Sequence, residues 1–329
     1  AYGAAIADVS DAPDRSFALA RGSGFTHAYA IVDWDNVLRE DASHPGRYAW
    51  ERGEPSDLDN ALRAARAHHL ALVIRLDRPR AWPHGSLSYL DAAVMERFAY
   101  GVAARAKDVA TAYEVLNEPN LPFEWGGTPD PNGYARLLAA AQRGVKRADP
   151  GAIVLAAGLS PYTGGQGGSI EDVEFLRQLY AAGARGTFDG LGAHAYAGDR
   201  PPDLDPWSCG MCFRRVERYR QVMEGAGDGG TPVWITEFGY LHTSAVPLGG
   251  YDWMKVSPET QGERIVAAYR YGRANWPWLR GMVLFNLDFS SVPWNPPSGS
   301  AHWFALLNAD RSARPALRAV SAYLGSAPR

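Results

Sequence analysis

Lysine is almost missing from this chain. Only Lys107, Lys146 and Lys255 stand among its 33 basic residues; the others are arginine. That bias reflects coding or a stability preference and carries no chemistry. Cysteine is scarcer still, with Cys209 and Cys212 forming one C-x-x-C in "CGMC". Two ligands are too few for a structural zinc site. The stretch is rich in proline and glycine and lacks a thioredoxin-like βαβ context, which argues against a redox pair. A local disulfide or two free thiols remain. No apolar run reaches the roughly 18 residues of a membrane span, so no membrane partner is expected. A strong charge imbalance is also absent. The net charge of −3 offers nothing to a polyanion, and no nucleic-acid partner is expected. The chain opens on Ala1 without a methionine, the start that removal of a secretory signal would leave. With a disulfide at Cys209 and Cys212, the expectation is a secreted protein.

What is present is the composition of a globular chain, 46% hydrophobic and 12% aromatic over 329 residues. Strand-like apolar runs occur at 3–9, 26–34, 70–78, 110–118, 152–160, 188–196, 232–240 and 281–289. Between them lie segments such as "SDLDNALRAARAHH" and "GYARLLAAAQRGVKRA", with apolar residues at three- and four-residue spacing. Eight such alternations predict an α/β fold, a (β/α)8 TIM barrel. An open doubly wound sheet is the rival. It announces itself by a glycine-rich turn after the first strand, and "DVSDAPDRS" has none. No linker and no repeat divides the chain, so one catalytic barrel over 1–329 is expected.

In such a barrel the active site lies at the C-terminal strand ends. Polar residues gather there: Asp33 and Trp34, Arg75 and Asp77, Asn117 and Glu118, His194 and Tyr196, Glu237, Asn286 and Asp288. The fourth run closes on "YEVLNEPN". A buried strand gains no stability by finishing on an acid, because a desolvated carboxylate is costly unless something holds it. Glu118 there and Glu237 on the seventh run would face each other across the barrel mouth. Glycoside hydrolysis needs such a pair, one acid to protonate the leaving oxygen and one carboxylate to attack or to activate water.

The residues quoted also resemble a known group. With "NEP" at the fourth strand and "WITEFG" at the seventh, the sequence is similar to the retaining glycoside hydrolases of clan A, most of all to family 39-like and family 5-like glycosidases. "VDWDNV…GRYAW…SDLDNALRAARAHHLALVIRL" and "WFALLNADRSARPALRAVSAYL" extend the resemblance over most of the chain. It implies Glu118 as acid/base, Glu237 as nucleophile and Asn117 on the substrate 2-hydroxyl. It also implies that His194 and Tyr196 flank the nucleophile. Two departures stand out. Where many members carry an arginine on the second strand, this chain has Tyr29, and either Arg75 on the third strand takes over or it only pairs with a neighbouring acid. Where the eighth strand usually ends in a tryptophan, this chain has Asn286, leaving Trp294 or Trp303 to supply a platform.

The loops after the strands are rich in aromatic rings, among them Trp82, Tyr89, Phe123, Trp125, Tyr162, Trp207, Tyr240, Trp253, Trp294 and Trp303. Flat rings give sugars a stacking face at low entropic cost. Trp34, Trp82, Trp125 and Trp294 are therefore expected in the substrate-binding set, with Asn117, His194, Tyr196, Arg75 and Asn286. The expected function is a retaining glycosidase acting without a cofactor or metal on a β-linked oligo- or polysaccharide. The alternatives are a carbohydrate-binding barrel without catalysis and, further off, a thiol redox protein.

Overall fold

The computed structural model describes all residues except 11, 35–36, 41–47, 51–55, 79–90, 162–166, 243–245 and 327–329. Eight parallel strands close on themselves: β1 (Tyr2–Ala5), β2 (His27–Asp33), β3 (Ala71–Asp77), β4 (Ala110–Val115), β5 (Ile153–Ala156), β6 (Gly190–His194), β7 (Val233–Phe238) and β8 (Leu279–Leu284). The register joining β8 to β1 pairs Met282 with Tyr2 and Leu284 with Ala4, which completes the circle. Closure excludes the open doubly wound sheet. Each strand is followed by a helix: α1 (Pro13–Gly22), α2 (Asp57–Ala67), α3 (Ala92–Ala106), α4 (Pro131–Ala148), α5 (Asp172–Ala181), α6 (Val216–Gly225), α7 (Pro258–Asn275) and α8 (Pro315–Ser326). This is the (β/α)8 barrel that the alternation predicts. No helix among the described residues is long and apolar enough to cross a membrane.

Local chemistry sets the helix starts. Ser56 accepts from Asp59 N, Asp91 from Ala93 N and Ser257 from Thr260 N, each satisfying a donor that the first turn would leave unpaired. Proline opens α1, α4, α7 and α8, where its missing N–H costs nothing. The strands alternate between two apolar layers. Leu72, Ile74 and Leu76 of β3 face the helices with Val102, Ala103 and Phe98. Val73 of the same strand points into the barrel with Ala5, Tyr29, Ala112, Leu155, Trp234 and Val283. Small residues opposite large ones fill that interior. Gly281 is one of them: a Cβ there would lie 2.2 Å from the Trp234 ring.

Several strands stop sooner than the apolar runs suggest. β4 ends at Val115, so Asn117 and Glu118 lie in the turn beyond it. Asp288 needs a different reading from the one its place at a strand end suggests. It is fully buried and closes the seam of the barrel, accepting from Ala7 N at 2.7 Å, Asp8 N at 3.4 Å and Ser16 Oγ at 2.6 Å. Arg311 donates to Ser16 Oγ at 3.1 Å and pairs with Asp8.

Burial pushes the Asp288 carboxyl from its ordinary 3.8 up to about 6, against the pull of Ser16 and the backbone donors. The folded chain therefore keeps a proton that the unfolded chain has already lost, between about pH 6 and 3.8. Folding stability from this group rises as pH falls through that window, by about 1.4 kcal/mol per unit. Asp288→Asn should flatten that part of the slope. Urea unfolding of both proteins at pH 6 and pH 4 reads the difference, in which the other acids cancel. Parallel slopes would mean that Asp288 is ionised in the folded protein throughout.

Candidate active site

After β4 the chain makes a turn with two side-chain-bearing residues at positive φ, Leu116 at 68° and Glu118 at 36°. Backbone of this kind is strained, and it persists only where the surroundings hold it. Three hydrogen bonds do so: Leu116 N to Leu76 O at 2.9 Å, Glu118 N to Gly158 O at 3.1 Å, and Leu121 N to Glu118 O at 2.9 Å. The turn aims Glu118 over the barrel mouth. Its Oε1 lies 2.9 Å from His194 Nδ1 at the end of β6. Its Oε2 has no protein partner among the described residues.

Glu237, near the end of β7, stands beside His194 in the strand register. Arg75 Nη1 donates to its Oε1 at 3.0 Å, and Tyr196 OH donates to its Oε2 at 2.8 Å. His194 Nδ1 is 3.7 Å from that same Oε2. One ring nitrogen thus reaches both carboxylates. The imidazole is fully enclosed, and burial alone would lower its pKa. Glu237, Glu118 and Glu114 outweigh burial and raise it to about 9, so His194 is a cation at neutral pH. Gly158 makes its space, since a Cβ there would lie 2.1 Å from His194 Cδ2.

Arg75 reaches Glu237 from the third strand. It is buried, and besides Glu237 it donates to Asn117 Oδ1 at 2.7 Å and to Asp77 Oδ2 at 3.0 Å through Nε. Burial opposes its charge, and Asp77 with the nearby acids keeps it cationic. Tyr29 does not contact Glu237 by hydrogen bond. Its hydroxyl donates to Glu114 Oε2 at 2.5 Å, and Glu114 Oε1 also accepts from Gly158 N and Thr236 Oγ1, each at 2.7 Å. Burial raises the Glu114 carboxyl, opposed by the charge of His194, the hydrogen bonds from Tyr29 and Thr236 and the charge of Arg75.

No family model matches the sequence, and no curated protein matches it. Solved structures do match the fold. A family 39 glycoside hydrolase from the gut symbiont Bacteroides cellulosilyticus WH2 superposes with a TM-score of 0.71 at 18% identity, over 99% of this chain and 63% of its own. The GH39 enzyme from Xanthomonas axonopodis pv. citri gives 0.69 at 17%, over 100% and 66%. A GH10 endoxylanase from a sugarcane soil metagenome gives 0.61 at 15%, over 98% and 96%. The fold is the (β/α)8 barrel of these glycoside hydrolases. This chain spans less than two thirds of the first two structures, and at these identities the likeness carries the fold and no residue roles.

Within this barrel, Glu118, Glu237, Asn117, His194, Tyr196 and Arg75 form one cluster of hydrogen bonds and ion pairs. Three other expected contacts with substrate must be corrected. Trp34 is buried against Phe98 of α3, with ring centroids 5.7 Å apart. Trp125 is wholly enclosed and anchors a single helical turn, Pro122–Trp125. Asn286 is also wholly enclosed; its Nδ2 donates to Ala301 O at 2.9 Å and its Oδ1 accepts from Phe289 N at 3.1 Å. Both ends of that amide are used by the backbone. Trp294 is 63% exposed, its ring edge-to-face with Phe289. Trp82, with Tyr89 and Tyr162, lies outside the described residues. Of the other loop rings, Tyr240 is buried, while Phe123, Trp207 and Trp253 are exposed.

Sequence reading passed over Glu114 and Phe285. Glu114 shares the inward parity of Ala112 on β4, the one signal that could have marked it as a carboxylate inside the barrel. Phe285 follows β8 and stands edge-to-face with Tyr196 at 6.4 Å. Cys209 and Cys212 are joined in a disulfide within the loop from β6 to α6. Arg215 holds the Gly210 carbonyl at 2.8 Å and Arg200 the Met211 carbonyl at 2.9 Å, so the ring is tied to the scaffold.

Proposed function

We propose that the protein is a retaining glycoside hydrolase that cleaves a β-linked oligo- or polysaccharide by double displacement, with Glu237 as nucleophile and Glu118 as acid/base. The observation that carries this reading is the single imidazole nitrogen shared by the two carboxylates. Both oxygens approach it from outside the ring, at 2.9 and 3.7 Å. Their gap is therefore shorter than those lengths laid end to end, which favours the spacing of about 5–5.5 Å used by retaining pairs over the roughly 6.5–9.5 Å of inverting pairs.

The surroundings of each acid suit its role. Arg75 and Tyr196 bind both oxygens of Glu237, fixing it in line for the anomeric carbon. Burial, then the charge of Glu237, keeps the Tyr196 phenol far above its ordinary value, so it remains a neutral donor. In the first displacement Glu237 forms the bond to the anomeric carbon, that carbon loses its bond to the leaving oxygen, and Glu118 passes that oxygen a proton. In the second, Glu118 takes a proton from water, the water oxygen bonds to the same carbon, and Glu237 leaves as a carboxylate. Asn117 would meet the sugar's 2-hydroxyl, and Trp294 would offer an exposed stacking face. The disulfide at Cys209 and Cys212 fits an extracellular setting, and residues 1–329 act as one catalytic barrel.

A carbohydrate-binding barrel without catalysis is the other reading, and the His194–Glu118 contact speaks for it. One experiment separates the two. The protein is incubated with a panel of aryl β-glycosides and β-linked polysaccharides, with Glu237→Ala beside it. Sugar released by the wild type alone supports the hydrolase, whereas binding without release by either supports the inactive barrel.

A further inference from the structure

Asn117 is gripped from both sides. Arg75 Nη1 donates to its Oδ1 at 2.7 Å, and its Nδ2 donates to Glu124 Oε1 at 3.1 Å. Glu124 stands only seven residues on, at the outer end of the loop that carries Glu118. The chain doubles back there because Leu121 N bonds to Glu118 O and Trp125 N bonds to Leu121 O, both at 2.9 Å. Pro122 starts the helical turn, and the next residue after Glu124 is the enclosed Trp125, whose ring is packed so closely that a Cβ on Gly133 would lie 3.0 Å from it. Arg78 completes the setting, donating to Glu124 Oε2 through Nε and Nη2 at 3.3 Å each. Glu124 is therefore held as firmly as the catalytic turn itself.

We propose that Glu124 is a positioning residue that fixes the Asn117 amide for the sugar's 2-hydroxyl; this rests on the hydrolase reading above. An asparagine amide can turn over, exchanging its oxygen and nitrogen. Turned over here, it would set its NH2 against the Arg75 guanidinium and its oxygen against the Glu124 carboxylate, two repulsive contacts in place of two hydrogen bonds. Glu124 also consumes one of the two Nδ2 hydrogens. The other is left as a single aimed donor. A hydroxyl that accepts it must direct its own hydrogen elsewhere, and Glu237 is the neighbouring acceptor. The bond that the 2-hydroxyl donates to Glu237 would strengthen as the hydroxyl grows more acidic beside the developing oxocarbenium ion, and Asn117 fixes the oxygen that donates it. An ion pair between Glu124 and Arg78 alone would have none of these consequences.

The test uses the best aryl glycoside of the panel and its 2-deoxy counterpart. Glu124→Ala should lower kcat/KM about tenfold on the 2-hydroxy substrate, the worth of one well-placed hydrogen bond, and less than about twofold on the 2-deoxy one. Glu124→Gln keeps the volume and an acceptor oxygen, so it guards against lost folding and should recover most of the activity. In an Asn117→Ala background, Glu124→Ala should have almost no further effect, because the two act through one contact. Equal falls on both substrates, or full additivity with Asn117→Ala, would overturn the inference while leaving the hydrolase reading intact. No release of sugar by the wild type from any substrate would overturn both.

Discussion

Alanine at position 237 should remove turnover on every glycoside the wild-type protein cleaves, a fall on the order of 10⁵-fold. The oxygen that would bond to the anomeric carbon is gone, and no neighbour replaces it. Tyr196 is a neutral, half-buried phenol, and Arg75 carries no lone pair to offer. The barrel should survive the change. Arg75 keeps Asp77 and Asn117 as acceptors when Glu237 is lost, so its buried charge is not left unpaired. Circular dichroism should match the wild type while aryl release disappears. Undiminished release by a folded Glu237→Ala protein would show that the nucleophile lies elsewhere.

Glu118→Ala should behave differently, because its cost depends on the leaving group. A poor leaving group needs a proton as its bond breaks, and losing a positioned acid costs roughly 10²–10⁴-fold. A dinitrophenolate leaves without that proton, so the first displacement stays fast on an activated glycoside. The glycosyl ester on Glu237 then waits for water that lacks a base. Azide needs no base, and adding it should restore turnover on the activated substrate and yield a glycosyl azide. His194 loses its hydrogen-bond partner in this variant, but Glu237 and Glu114 still face it and keep its charge compensated. Equal losses on good and poor leaving groups, with no response to azide, would mean that Glu118 is not the proton donor.

The barrel was legible because parallel strands buried on both sides leave short apolar runs, and the helices between them leave a 3.6-residue rhythm. The two carboxylates were legible because their position along the chain, at strand ends on opposite sides, already implies where they point. Residues whose role depends on which way a loop turns were not. Trp34 and Trp125 read like platforms, yet the turns after β2 and β4 direct both rings into apolar layers, where large side chains gain most from burial. Asn286 and Asp288 occupy strand-end positions that favour function, but the turn after β8 leaves Phe289 N and the closing seam leaves Ala7 N without a partner, and these two side chains satisfy them. Glu124 sits in a loop that resembles ordinary solvated chain. Only the doubling back of residues 118–125 brings it to Asn117, and no local pattern encodes that contact. Arg75 was legible as one of two alternatives, and in the structure it reaches both Glu237 and the neighbouring acid Asp77.

The stereochemistry of the first product tests the paired-carboxylate account most directly. Two displacements at the anomeric carbon each invert it, so the sugar released from a β-glycoside should be the β-anomer. Proton NMR of the anomeric region, started within the first minutes of hydrolysis by the wild-type protein, distinguishes the two anomers before mutarotation mixes them. The account expects the β-anomer signal to rise first and the α-anomer to follow at the rate of uncatalysed mutarotation. An α-anomer appearing first would contradict it, and Glu237 would then be a base acting on water across a wider gap.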